Sequence, residues 1–138
     1  MSDEAVIRSF YDRMSDRDLE GALEYAHPDF VFDWSNSRGT QPGVYHGWDG
    51  LRSYWKQNED AWDEFTIELR EVIPRGDGCV VTLNSVRGRG KGSGVEVEAV
   101  GAMVWWVADG KLLRGKLYQS REEALAAAEA SPREGRPA

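Results

Sequence analysis

Within residues 47–118 the chain changes its repeat once, from helical spacing to sustained alternation, and that change limits the folds open to it. Gly47-Trp48-Asp49-Gly50-Leu51 opens a helix expected over about residues 49–62, where Leu51, Tyr54, Trp55, Asn58 and Trp62 fall at spacings compatible with one face. After it the period is two. Residues 65–73, 79–89, 95–107 and 112–118 read as four strands. Residues 74–78, 90–94 and 108–110 are the turns, with Asp109-Gly110 leading into Lys111 and Ser93-Gly94 into Val95-Glu96-Val97. Strands joined this tightly pair antiparallel.

Upstream the pattern is helical. Ser2 or Asp3 can cap a first helix carrying Val6, Ile7, Phe10, Tyr11 and Met14, and Asp16 or Asp18 a second with Leu19, Ala22, Leu23 and Ala26. His27-Pro28-Asp29 ends that helix, because a residue before proline avoids helical geometry. Residues 30–35 alternate as a strand, with Phe30, Phe32 and Trp34 on one face and Val31, Asp33 and Ser35 on the other. Residues 36–45 hold Gly39, Pro42 and Gly43 and read as a loop; residues 121–130 read as a last helix. Helices followed by a strand meander give an α+β layer structure, expected as one domain over residues 1–130 with a disordered tail over 131–138. In the third of the four strands, Val100, Ala102, Val104 and Trp106 share one face and Gly101, Met103 and Trp105 the other. Both faces are apolar, so both are expected to be covered: one by the helices, the other, through Met103 and Trp105, by a second copy in a homodimer.

Composition excludes several partners. A formal net charge of -7 argues against nucleic acid and anionic membrane surfaces, both of which need a positive face. No apolar run reaches membrane-spanning length, and Met1-Ser2-Asp3-Glu4 lacks an apolar signal core. Cys79 is the single cysteine, which rules out an internal disulfide and fits a reducing, cytoplasmic compartment. With two histidines and no liganding spacing, neither a metal nor a cofactor is expected. Six tryptophans in 138 residues are many, and such rings either fill a core or line a cavity.

Asp18-Leu19-Glu20-Gly21 before the first strand, His46-Gly47 before the third helix, Asp109-Gly110-Lys111 in the last hairpin and the order of elements resemble one known layout. The chain resembles SnoaL-like members of the nuclear-transport-factor-two-like superfamily, which includes the ketosteroid isomerases; the resemblance covers roughly residues 5–130. It implies a cone-shaped α+β barrel: a strongly curved, mainly antiparallel sheet wrapped around the three helices of the N-terminal half, with a short C-terminal helix, a deep pocket and frequent pairing through the back of the sheet. The family contains isomerases, cyclases, dehydratases, epoxide hydrolases and non-enzymes, so fold alone does not decide function. Ketosteroid isomerases use a carboxylate base near the end of the first strand, with a tyrosine of the first helix and a protonated aspartate of a later strand as oxyanion donors. With the shared motifs in register, those positions hold Trp34, Phe10 and Ala102, and Trp55 replaces a supporting tyrosine. A one-residue slip puts Asp33 at the base position and Tyr11 at the donor position, at the cost of turning both away from their apolar neighbours' face.

Three catalytic candidates follow: Asp33 as general base, with Tyr11 or His46 as donor. Two of them have a plainer reading, Asp33 as an outward strand residue beside an arginine and His46 as a loop or cap residue. The expected ligand pocket comprises Phe10, Met14, Trp34, Tyr54, Trp55 and Trp62, with Ala102, Val104 and Glu98 from the wall strand. Glu98 reads more simply as a solvated residue facing Arg87 or Arg89. Arg87-Gly88-Arg89-Gly90-Lys91-Gly92 reads as a glycine-rich hairpin tip, and Cys79 as a small buried residue. The leading expectation is a protein that binds a small hydrophobic or aromatic molecule. The alternatives are an isomerase, cyclase or hydratase/epoxide-hydrolase-type enzyme using Asp33, and a structural dimerisation module.

Overall fold

The computed structural model describes residues 2–37 and 42–130. In chain order they form α1 (Asp3–Ser15), α2 (Leu19–Leu23), β1 (Ala26–Asp33), β2 (Val44–His46), α3 (Gly47–Ala61), β3 (Trp62–Gly76), β4 (Cys79–Gly90), β5 (Glu96–Ala108), β6 (Lys111–Tyr118) and α4 (Arg121–Ala130). The expected tail over 131–138 lies outside the described residues, as does part of the expected loop.

One six-stranded sheet runs β2-β1-β6-β5-β4-β3. Only β1 and β6 pair in parallel, so the sheet is mainly antiparallel; β2 and β3 are its open edges. Two connections have a direct chemical cause. Asp77-Gly78 and Asp109-Gly110 are two-residue hairpin loops in which both residues take positive φ, the geometry that matches the twist of the flanking strands. At the other end, the Ser2 hydroxyl accepts from the Ala5 N–H and opens α1, and the Asp18 carboxylate accepts from the Gly21 N–H and opens α2.

Several boundaries differ from the sequence reading. β1 begins at Ala26 and runs through Pro28, with a register shift against β6 between Ala26 and Val31; proline is tolerated there because the ladder is already irregular. β2 falls partly in the expected loop and is only three residues long, below what alternation can reveal. β3 begins at Trp62, directly from α3.

The expected assignment of the two β5 faces is reversed. Met103 and Trp105 point into the cone, within the core formed by Val6, Ile7, Phe10 and Tyr11 of α1, Phe30 and Phe32 of β1 and Leu51 and Tyr54 of α3. Ala102, Val104 and Trp106 point outward and form a second core with Cys79, Val81, Ala124 and Ala128. The back of the sheet is thus covered here by α4, and Met103 and Trp105 are not a dimer surface. Trp105 fits inward because Gly115 leaves it room and Thr82 accepts its N–H, while alanines of α4 pack with Ala102 on the other face. The Trp105 ring stacks at 6.1–6.3 Å from Phe32 and Phe30 and meets Phe10 and Tyr11 edge-on at 5.8 Å.

Trp105 also needs Gly115 opposite it on β6. A Cβ at Gly115 would lie 2.4 Å from the indole, in a ring already boxed on its other sides. Gly115→Ala is expected to lower stability by about 1–3 kcal/mol, read as a lower urea midpoint with unchanged slope. An unchanged midpoint would mean that the indole has room to move.

Candidate functional site

α1 and α3 stand over the concave face of the sheet, and the sequence places aromatic residues where these three surfaces meet. Phe10, Tyr11 and Met14 come from one face of α1, Tyr54 and Asn58 from one face of α3, Phe32 from the end of β1 and Trp34 from just beyond it. They do not fill the space between them. A cavity of about 400 Å³ remains, closed at depth by Met103 and Trp105 and walled by Trp62, Phe65, Ile67, Asn84 and Val86. The exposed Val97, Ala99 and Val100 of the long β4–β5 hairpin mark its open end. No Asp, Glu, Lys, Arg or His is among the described residues that line it.

Polarity at its base comes from one chain of hydrogen bonds. Trp105 Nε1 donates to Thr82 Oγ1 at 2.9 Å, Thr82 Oγ1 donates to Asn84 Oδ1 at 3.0 Å, and the Tyr11 hydroxyl donates to the same oxygen at 2.8 Å. Burial pushes the Tyr11 phenol well above its usual range, and the contacts with Thr82, Trp105 and Asn84 draw it only partly back. Tyr11 is therefore a protonated hydroxyl at any physiological pH. Burial raises the Tyr54 phenol too, with Asn58 opposing the rise.

The sequence-derived candidates separate cleanly. Phe10, Tyr11, Met14, Trp34, Tyr54 and Trp62 line the cavity. Trp55 is buried beside it, edge-on to Phe65 at 6.4 Å, and borders a neighbouring hollow of about 550 Å³ and mixed charge, which Asn58, Trp62 and Phe65 also line. Ala102 and Val104 lie on the outer face of the sheet. Glu98 is paired with Arg87 at 3.2 Å outside the cavity, because the β5 alternation that brings Ala99 and Gly101 inward turns Glu98 out. His46 is exposed at the N-cap of α3, makes no side-chain capping bond and is not among the lining residues.

Asp33 is not placed to act as a base in this cavity. Phe32 and Trp34 point in, so Asp33 points to the back of the sheet, where Arg114 lies 3.5 Å away over the Trp106 ring. Burial disfavours its charge, but the Ser35 hydroxyl at 2.6 Å, the Ser35 N–H at 3.0 Å and the nearby Lys116 and Arg114 outweigh burial and hold the carboxyl below the usual range. A general base needs the opposite shift. Thr82 and Asn84, which the sequence reading did not single out, carry the polar base of the cavity. Their signal was two polar residues on the inward period of a strand whose other inward positions, Val80 and Val86, are apolar.

The SnoaL-like domain model matches residues 7–115, which spans the helices, the cavity and most of the sheet. The chain belongs to the SnoaL-like family. Solved structures of the same fold include TerC co-crystallised with polyporic acid, 22% identical, covering 92% of this chain and 98% of that one at a TM-score of 0.72. An NTF2-like protein of unknown function from Burkholderia pseudomallei is 22% identical, with 91% and 97% coverage and a TM-score of 0.73. A candidate polyketide cyclase from Xanthomonas campestris pv. campestris is 17% identical, with 90% and 94% coverage and a TM-score of 0.68. At these identities the likeness is one of fold. No curated protein matches the chain in sequence. Among the described residues of this SnoaL-like chain, no helix is long and apolar enough to cross a membrane, and no cluster of three or more His, Cys, Asp or Glu is placed to hold a metal.

The position of Asp33 has a measurable consequence. Its carboxyl is depressed in the folded state, so its stabilisation is present above the ordinary carboxylate range and is lost as pH falls through the lower folded value. Asp33→Asn is expected to cost about 1–2 kcal/mol near neutral pH, with the deficit closing under acid conditions. Ligand binding in the cavity should be unchanged, and a deficit that persists in acid would assign the loss to packing instead.

Proposed function

We propose that this SnoaL-like protein binds a small hydrophobic or aromatic molecule in the cavity between α1, α3 and the sheet. The observation that carries the reading is the cavity itself: about 400 Å³ of space in the most aromatic region of the molecule, with a hydrogen-bonded polar base. That volume lies within the range of small-molecule sites, about 300–1,000 Å³. Leaving it empty forgoes the packing that further side-chain carbons would supply, so stability alone does not account for it. TerC, a protein of the same fold, was co-crystallised with polyporic acid, which supports ligand binding as a use of this architecture.

A second reading is an isomerase-, cyclase- or hydratase-type enzyme. The specific support is the Tyr11 hydroxyl, held protonated in the cavity; its one proton is given to Asn84 here, and turning it to a substrate oxygen would let it stabilise developing negative charge. The likeness to a candidate polyketide cyclase points the same way. Its base is not Asp33. A cytoplasmic location and homodimerisation belong to the proposal as well, the latter through surfaces other than Met103 and Trp105.

Native mass spectrometry of the freshly purified protein, followed by titration with a panel of small aromatic compounds, tests the reading. Retained small-molecule mass or saturable binding is expected. Ala99→Trp, at an exposed position of the open end, should weaken binding by at least about tenfold without lowering the unfolding midpoint. An unliganded protein that binds nothing in the panel would overturn the proposal.

A further inference from the structure

The hydrogen-bond chain at the base of the cavity has a direction, and one donor-only group sets it. An indole N–H can only donate. Thr82 Oγ1, 2.9 Å from Trp105 Nε1, therefore accepts from it and sends its own proton elsewhere. Two side-chain oxygens are in range, Asn84 Oδ1 at 3.0 Å and the Tyr11 hydroxyl at 3.4 Å. The shorter bond goes to Asn84, and the Tyr11 proton reaches the same oxygen at 2.8 Å. Turning the Asn84 amide over would set its NH₂ against both hydroxyls. The Thr82 proton would then keep only the longer contact, and the Tyr11 proton would have no acceptor in the chain. The network thus fixes the amide with its oxygen towards Tyr11 and Thr82 and its nitrogen away from them.

Nothing else in the protein engages that nitrogen. Asn84 Nδ2 makes no hydrogen bond among the described residues. It is also not one of the sealed atoms without a partner, which belong to Trp34, Tyr54, Asn58, Trp62 and Arg114. It therefore meets open space. Asn84 lies on the inward period of β4 and lines the aromatic cavity, not the neighbouring charged hollow. Two donors converging on Oδ1 polarise the amide and strengthen its N–H groups as donors. No charged side chain is among the described lining residues, so a carboxylate placed here would be buried without a counter-charge.

Resting on the proposed binding function, we infer that Asn84 determines ligand specificity: its NH₂ donates to the carbonyl oxygen of a neutral, largely hydrocarbon ligand that enters oxygen-first. The apolar body then lies between the aromatic walls, below Val97 and Ala99 at the open end. Water can satisfy the same N–H in the free protein. A carbonyl replaces that bond, whereas a hydrocarbon removes it.

Calorimetric titration of the full chain with tetralin and 1-tetralone, which differ by one carbonyl, tests the inference. 1-Tetralone is expected to bind at least about tenfold more tightly, with its infrared C=O stretch below the position it has in hydrocarbon solvent. Asn84→Leu is close in shape and should abolish both the preference and the shift, while tetralin affinity changes by less than about twofold. That variant also strips Tyr11 and Thr82 of their acceptor, so Asn84→Asp serves beside it. Its carboxylate keeps an oxygen for both hydroxyls and turns an acceptor on the ligand; the preference should vanish when it is ionised and return as pH falls and it gains a proton. Tyr11→Phe should lower the preference by less than either Asn84 variant. Equal affinity of the two probes for the native protein would overturn this inference and leave the aromatic-binding function standing. Binding of neither probe at its solubility limit would overturn both. Equal losses for both probes in Asn84→Leu would show that Asn84 acts by packing and would overturn its role as donor. A preference lost in Tyr11→Phe and kept in ionised Asn84→Asp would make Tyr11 the donor and overturn it as well.

Discussion

Burial of Trp105 is the constraint from which the rest of the arrangement follows. An indole at 1% exposure contributes on the order of 2–3 kcal/mol, but only if its N–H is satisfied and its bulk is accommodated. Thr82 answers the first condition, and Gly115 with the ring of Phe10, Phe30 and Phe32 answers the second. Once Trp105 points inward, strand alternation sends Ala102, Val104 and Trp106 outward, and this outer strip must be covered in turn. α4 does so with alanines, the residues that allow the closest approach. The same indole anchors the polar base of the cavity, since its bond to Thr82 orients the hydroxyl towards Asn84 and so towards Tyr11. One side chain thereby links fold stability, the two-sided covering of the sheet and the chemistry of the cavity floor.

This also explains which parts of the molecule were legible in the sequence. The helical stripe Val6, Ile7, Phe10, Tyr11, Met14 is buried as its spacing requires, and the Asp-Gly turn at residue 109 closes its hairpin as written. The order of helices and strands, and the SnoaL-like resemblance built on it, therefore held. The faces of β5 were not legible, because alternation reports that two faces differ and does not say which is inside when both are apolar. Reading Trp105 as the outward residue was a natural error: the glycine that makes room for it is ten residues away and acts through the β5–β6 register. For Asp33, alternation with Phe32 and Trp34 already placed it opposite the aromatic face, and the structure agrees with that pattern rather than with the slipped register. Tyr11 is different. A helix turns by about 100° per residue, so neighbours such as Phe10 and Tyr11 can both reach a broad inner face. Both therefore line the cavity, and the choice between them was not forced.

Charge is partitioned with equal clarity. Apart from the largely buried Arg114–Asp33 pair at the back of the sheet, the ion pairs among the described residues lie outside the cavity on exposed helix and strand surfaces, such as Arg52–Glu20, Arg87–Glu98 and Arg89–Glu64. Pairs this exposed contribute little to stability, so the net charge of -7 acts on solubility and on the exclusion of polyanions rather than on the fold. Within the cavity, polarity is carried by neutral dipoles. That division matters because a dipole network can be buried at modest cost when fully bonded, whereas an isolated charge cannot.

The number of tryptophans then acquires a chemical meaning. Leucine or phenylalanine at positions 34 and 62 would give a similar apolar wall with no polar demand. Trp62 is packed so closely on β4 that a Cβ at Gly88 would fall 2.7 Å from its ring, so its indole is held rather than free to turn to water. A ring fixed in this way gives the cavity a wall that does not reorganise when a flat ligand arrives. The aromatic wall thus supplies rigid apolar area, and the base of Tyr11, Thr82 and Asn84 supplies directional polarity. This is the combination a site needs to bind a molecule that is mostly hydrocarbon and still distinguish it by a few oxygen atoms.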